Sequence, residues 1–229
     1  MDSLQAAVRW TIKEKVNGRW RRVWTGKNIM TDFGLTALAS AFGGDYTAPL
    51  YLVIDNFSGQ IQNVGGIIVG ATSVSLNHKV DSAGDTQIVL GVGTANEEVV
   101  SFSAVTGTGP YVYTISATAN SHAQNDYCVR NPRQADTLAS IQSEVQYAPT
   151  VFPGKRTQRI GTGYSGGTGN HVMSFFVTGA QAVGRWESLG TADSDTVGDG
   201  NLHNHLVSGY DHSSGNDTQV DISITLSNA

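Results

Sequence analysis

Six histidines, one cysteine and nineteen carboxylates are the groups in this 229-residue chain best suited to hold a metal, move a proton or attack a carbonyl. His203-Asn204-His205, with Asp211-His212 close by, offers metal-ligand nitrogens, because side chains two apart on a strand point the same way. Polar loop histidines are the plainer reading, and neither a metal nor a cofactor is expected. Asp193, Asp195, Asp199 and Asp217 lie among Gly, Ser and Thr, an oxygen-rich setting of the kind calcium favours. The EF-hand spacing and its closing bidentate Glu are missing, so a solvated acidic loop is the expectation. Gly161-Thr-Gly163-Tyr-Ser-Gly166 matches the spacing of the dinucleotide fingerprint, which needs a strand before it and a helix after it. Alternating residues from Val172 to Val177 follow instead, which predicts a hairpin loop.

Nucleophilic chemistry has even less support. No Gly-X-Ser-X-Gly elbow occurs. Glu97 and Glu98 open a strand, where neighbours face opposite ways and share no proton. A glycosidase pair assembled from distant carboxylates is the remaining enzymatic alternative. No catalytic residue is assigned, and the chain reads as a non-enzyme. Tyr164 and Tyr210 are candidates to stack on a glycan from exposed loops, although packing is the commoner use of aromatics.

The elements that must carry these residues are mostly strands. Val8, Trp10 and Ile12 alternate with Arg9, Thr11 and Lys13, the signature of a half-buried strand. Asn17-Gly18 then makes a two-residue hairpin turn, since both turn positions need positive φ. The returning strand carries Arg19, Trp20, Arg21, Arg22 and Trp24, so Trp10, Trp20, Arg21, Arg22 and Trp24 are candidate interface residues. An edge strand with solvated arginines is the plain reading of this cluster, and a contact with packaged DNA or an acidic partner is the other.

One helix is expected near 31–42. Thr31 or Asp32 caps it, Phe33, Leu35, Leu38, Ala39 and Phe42 form its apolar face, and Gly43-Gly44 ends it. It is read as the cover of a sheet or barrel end. Residues 50–54 form a buried strand, and five short strands follow between Gly70 and Arg130, separated by turns at eight- to twelve-residue spacing. The segment 136–145 fits either a strand or a short helical run. His171–Gly179 and Val220–Leu226 alternate as strands, and Gly198–Ser213 reads as loop-rich.

Composition agrees with this inventory. Twenty-seven glycines against five prolines suit short strands and tight turns. Charged residues make up only 14%, below the roughly one quarter usual for soluble domains, so the surface is expected to consist of small, uncharged polar residues. Such a surface suits packing against copies of itself or a place in a larger assembly. The net charge of −5 does not point to nucleic acid, which asks for a basic face. One cysteine, Cys128, excludes an intrachain disulfide and is expected to be a buried thiol. Met-Asp-Ser-Leu-Gln lacks the opening of a signal peptide, and no apolar run approaches the ~20 residues of a membrane helix. Cytoplasmic synthesis without membrane insertion is the expectation.

The order of pieces resembles a family of tailed-bacteriophage virion proteins. The likeness runs through Lys27-Asn28-Ile29-Met30-Thr31-Asp32-Phe33-Gly34-Leu35, the Ala/Leu helix and buried strand after it, and then Glu144, Arg156, Phe175-Phe176, Trp186-Glu187-Ser188-Leu189-Gly190 and Asp221-Ile-Ser-Ile-Thr-Leu. Residues 70–131 are similar to a β-module found inside phage tail and fibre proteins, notably at Gly84-Asp85, Gly93-Thr94-Ala95-Asn96-Glu97-Glu98 and Ala119-Asn120-Ser121-His122. The resemblance implies a virion structural subunit of the fibre, adaptor, baseplate, neck or capsid-surface type. Its partners would be copies of itself, as a trimer or higher oligomer, and other virion proteins. His-X-His pairs also serve fibre trimers, which is the context in which His203 and His205 would meet a metal.

The expected fold is all-β. A β-sandwich built from 1–65 and 132–229, with one covering helix, is interrupted by a small β-barrel or sandwich at 66–131. A host-surface carbohydrate or receptor module, or a capsid decoration protein, is the alternative function.

Overall fold

The computed structural model describes residues 4–27, 29–41, 49–147, 154–165, 170–213 and 215–228. The chain is all-β with a single α-helix among the described residues. In order it forms β1 (Leu4–Val16), β2 (Arg19–Lys27), β3 (Ile29–Met30), α1 (Asp32–Ala41), β4 (Tyr51–Asp55), β5 (Gly59–Gln60) and β6 (Ser73–Leu76). There follow β7 (Gln87–Leu90), β8 (Glu98–Thr106), β9 (Tyr111–Ile115), β10 (Tyr127–Arg130) and a 3₁₀ turn at Leu138–Ser140. The last five strands are β11 (Thr157–Ser165), β12 (Asn170–Val177), β13 (Arg185–Ala192), β14 (Leu202–Asp211) and β15 (Thr218–Asn228).

Two compact units emerge. The first comprises Met1–Asn56, Arg133–Leu206 and Tyr210–Ala229, and the second Phe57–Pro132 with Val207–Gly209. The second thus takes in residues from Phe57 onward rather than from 66. The physical reason is β5, which pairs with β10, and Ile61, which bridges to Leu76.

In the first unit nine strands run in the order β2-β1-β15-β12-β11-β4-β13-β14-β3. The two terminal strands are consecutive along the chain, so the sheet comes nearly full circle around one core. Strand alternation fills that core: Val8, Trp10 and Ile12 from β1, Met173, Phe175 and Val177 from β12, Val220 and Ile222 from β15. Trp10 is therefore not an interface residue. It is fully buried opposite Ile222, because it shares the inward face of β1 with Val8 and Ile12.

Thr31 is the helix cap. Its hydroxyl oxygen accepts the Gly34 N–H at 3.1 Å and its hydroxyl hydrogen goes to the Leu202 carbonyl, while its own N–H donates to His203 at 3.1 Å. Two of these bonds pin the start of α1 to β14, and the third caps the helix. The buried side of the helix differs from the expected one: Thr31, Gly34 and Ala37 face inward, and Leu35 is 39% exposed. A Cβ on Gly34 would lie 1.9 Å from the His203 carbonyl oxygen, so the helix approaches the strand on its side-chain-free face. The side chains of Ala39 and Phe42 lie outside the described residues.

β14 itself replaces the loop expected between 198 and 213. Its residues Leu202–Leu206 are all buried, three consecutive polar side chains included, so this stretch has no solvent face. The Gly161–Ser165 half of the glycine-rich segment is likewise strand, paired with β12, and the remainder lies outside the described residues.

The second unit has the strand order β5-β10-β7-β8-β9-β6, with a core of Ile61, Val74, Leu76, Ile88, Leu90, Tyr113 and Cys128 among others. Two buried polar pairs are built into it. Arg130 meets Asp85 through two N–H donors at 3.0 and 2.9 Å. The Tyr113 hydroxyl donates to Asp81 at 2.5 Å and accepts the Val80 N–H at 2.9 Å. Burial and the Asp81 carboxylate raise the Tyr113 phenol well above its ordinary range.

Candidate functional site

Asn17 and Gly18 take φ of +51° and +75°, the left-handed pair that a two-residue hairpin requires, and they fold β2 back on β1. A bulge follows. Ile12 pairs with Trp24 but Lys13 pairs with Arg22, which leaves Val23 as the extra residue and switches the facing of β2 at that point. Trp24 consequently packs against the core, whereas Trp20 and Arg22 share the outer face with Lys13. Trp24 is thus half in the core and no free interface residue.

β2 is the terminal strand of its sheet. Arg19, Trp20, Arg21, Arg22, Val23 and Thr25 are all exposed, Trp20 by 41% and Val23 by 46%. The Trp20 ring stands edge-on to Phe176 at 6.2 Å and 82°, which fixes its orientation. Beside it runs a groove of about 700 Å³ lined by Thr11, Lys13, Trp20, Arg22, Asp221 and Ser223. Its floor is neutralised: Lys13 meets Asp221 at 2.5 Å, and Asp221 also accepts Ser174 Oγ and Gln219 Nε2, each at 2.7 Å. Burial opposes the charge on Asp221, but these donors outweigh it and hold the carboxyl below its ordinary range. Arg19, Arg21 and Arg22 form no ion pair among the described residues. Seven of the fourteen Lys and Arg residues fall within residues 1–27, against two of the nineteen Asp and Glu, so the hairpin is a basic extension of an acidic chain.

The predicted histidine pair sits elsewhere. His203 and His205 are both buried and go to different partners. The His203 ring meets Phe33 edge-on at 4.9 Å and lies 3.9 Å from Asp193. Burial pushes its pKa down to about 4, against a partly opposing pull from Asp193. His205 Nδ1 lies 2.7 Å from Asp136 and Nε2 lies 3.0 Å from the Ser188 hydroxyl. With Nδ1–H donating to the carboxylate, Nε2 accepts the serine proton, the role assignment of a Ser-His-Asp triad. Sequence reading missed this cluster, because its members are 69 and 17 residues apart and follow no motif. All three side chains are buried, so these bonds satisfy polar groups that have been taken out of water. No group of three or more His, Cys, Asp or Glu among the described residues is placed to hold a metal.

Tyr210 is also buried, so it cannot serve as a glycan platform. Its hydroxyl donates to Glu14 at 2.5 Å and its ring packs against Trp186 at 5.2 Å. Tyr164 lies on β11, and its side chain is outside the described residues. The acidic residues near 193–199 brace turns: Asp193 accepts the Asn201 N–H and Nδ2, Asp195 pairs with Lys155, and Asp199 accepts Ser194 Oγ. Glu144 and Arg156, distant in no motif, form a buried bidentate pair, and Arg156 also donates to the carbonyls of Ser194 and Asp199.

Comparison of the chain with protein-family models, with curated proteins and with solved structures gives no match.

Proposed function

We propose that this chain is a structural subunit of a bacteriophage virion that works by docking through the β1–β2 hairpin, to further copies of itself and to neighbouring virion proteins. The supporting observation is the edge strand. β2 is the terminal strand of its sheet, and its arginines and the bulge at Val23 blunt plain edge-to-edge pairing, so docking here goes through the exposed side chains. That face is aromatic and basic, with its arginines left unpaired among the described residues. The acidic remainder of a second copy supplies the complementary charge, and steering of this kind weakens as salt shortens the Debye length. The resemblance of the chain's pieces to tailed-phage virion proteins gives the setting.

The test is sedimentation of the purified chain at about 0.05 M and 0.5 M salt, conditions between which the screening length falls roughly threefold. Oligomers that shrink at high salt, and that are lost in Arg21→Glu/Arg22→Glu, support the reading. A chain that stays monomeric at high protein concentration, and is missing from purified particles probed by immunogold labelling, would overturn it.

A further inference from the structure

The two sequence stretches singled out in the second unit, 93–98 and 119–122, converge on one carboxylate. Glu98, at the start of β8, accepts the N–H groups of Ala119 at 2.8 Å and Asn120 at 3.0 Å, and faces His122 Nε2 at 2.8 Å. Burial disfavours its charge, yet these three donors hold the carboxyl below its ordinary range, so it is ionised at neutral pH. Asn96 Nδ2 adds a bond to the Ser121 carbonyl at 3.0 Å. A third segment closes on the other side: Ile67 and His122 exchange two backbone hydrogen bonds of 2.9 Å, and a Cβ on Gly66 would lie 2.2 Å from the His122 carbonyl oxygen. The His122 ring is fully enclosed, and its Nδ1 has no hydrogen-bond partner.

This clamp holds open a depression of about 490 Å³ lined by Ile67, Ile68, Thr94, Asn96, Ser121 and Asp126, with neighbouring backbone. One Asp126 oxygen accepts the Ala123 N–H, which leaves the other, together with the Asn96 side-chain oxygen and the Ser121 hydroxyl, to meet a ligand. Ile68, 77% exposed, forms an apolar ledge beside them. No Lys or Arg lines the depression, and Asp126 repels an anion. Asp126 is the one carboxylate lining the depression, and no group of three His, Cys, Asp or Glu is placed to hold a metal among the described residues. What fits is a neutral molecule dense in hydroxyl donors and acceptors with one C–H face.

We propose that this depression is a binding site for a neutral saccharide, its hydroxyls on Asn96, Ser121 and Asp126 and its apolar face on Ile68. Glu98 and His122 are positioning residues, because they fix the backbone that carries the contacts and touch no ligand themselves. The site is independent of the hairpin that carries the docking reading.

The experiment is titration of the full-length chain with a panel of neutral hexose and N-acetylhexosamine oligosaccharides, followed by amide-resonance shifts. Expected are saturable shifts centred on 94–96 and 121–126. Affinity should fall about tenfold in Asn96→Ala, the loss of one hydrogen bond to a ligand. Binding should vanish in Ser121→Trp, which fills the depression, with an unchanged melting temperature and unchanged self-association. No shift with any member of the panel, shifts elsewhere, equal binding by both variants, or preference for acidic sugars would each overturn the proposal. A chain that binds no glycan yet still self-associates separates this failure from that of the docking reading.

Discussion

His203 is held by its surroundings in the neutral form, and this gives the first unit a built-in acid sensitivity. Its pKa of about 4 lies below the ordinary 6.5, because burial against Phe33 penalises the imidazolium more than Asp193 rewards it. Between those two values the unfolded chain binds a proton that the folded chain refuses. The stabilisation is therefore fully present above pH 6.5 and is lost as pH falls toward 4. A shift of this size corresponds to at most about 3 kcal/mol. Urea midpoints measured from pH 7 to 4.5 should fall for the unmodified chain and fall less steeply for His203→Leu. A parallel decline in both proteins would remove His203 as the cause. The carboxyl groups with lowered values, Asp193 and Asp221 among them, act in a lower window, since their ordinary value is 3.8.

At the scale of elements, the strands most legible in the sequence are those with one wet face. β12 and β15 alternate cleanly because Met173, Phe175, Val220 and Ile222 point at the core while Ser174, Asp221 and Ser223 face the other way. The Asn17-Gly18 turn is equally plain, since its positive φ values admit few residues. β14 hid for the opposite reason. Both its faces are covered over Leu202–Leu206, and His205 is bonded to distant partners, Asp136 and Ser188, that no local pattern reveals. The bulge at Val23 has no sequence signal either, so the five interface candidates lie on both sides of the hairpin and only Trp20, Arg21 and Arg22 are exposed. The helix is legible but its buried face is not, because hydrophobicity ranks Leu35 above Gly34 whereas close approach to β14 requires a glycine. Gly34→Ala tests this. In an open helix the change would be stabilising by up to about 1 kcal/mol. Here the added methyl meets the His203 carbonyl, and a loss of about 2 kcal/mol or more is expected from urea unfolding. A stabilised variant would show that the helix sits farther from the strand.

Two large cores that share no residue dominate the described residues, beside two smaller clusters. One gathers Trp10, Phe175, Trp186 and their neighbours, and the other Ile61, Leu76, Leu90, Tyr113 and theirs. Every member of the second core falls within 57–132, and so does the buried Asp85–Arg130 pair. Most hydrophobic burial in that stretch is thus local to it, which favours folding alone, although the second unit also takes in Val207–Gly209 and Val207 packs against Val89, Val92 and Val129. A domain of this length buries a smaller fraction of its surface than a larger one, and a stability on the order of 5 kcal/mol is its natural scale. A fragment spanning 57–132 should therefore give dispersed amide resonances matching those of the intact chain. The intact chain should unfold in urea in two steps, with Tyr113 reporting one and Trp10 and Trp186 the other. Substituting Arg130→Ala leaves Asp85 buried without its counter-charge, a loss of about 3–5 kcal/mol, and should move the tyrosine transition alone. If the tryptophan transition moves by the same amount, the two cores fold as one cooperative body and the division at Asn56 has no thermodynamic meaning.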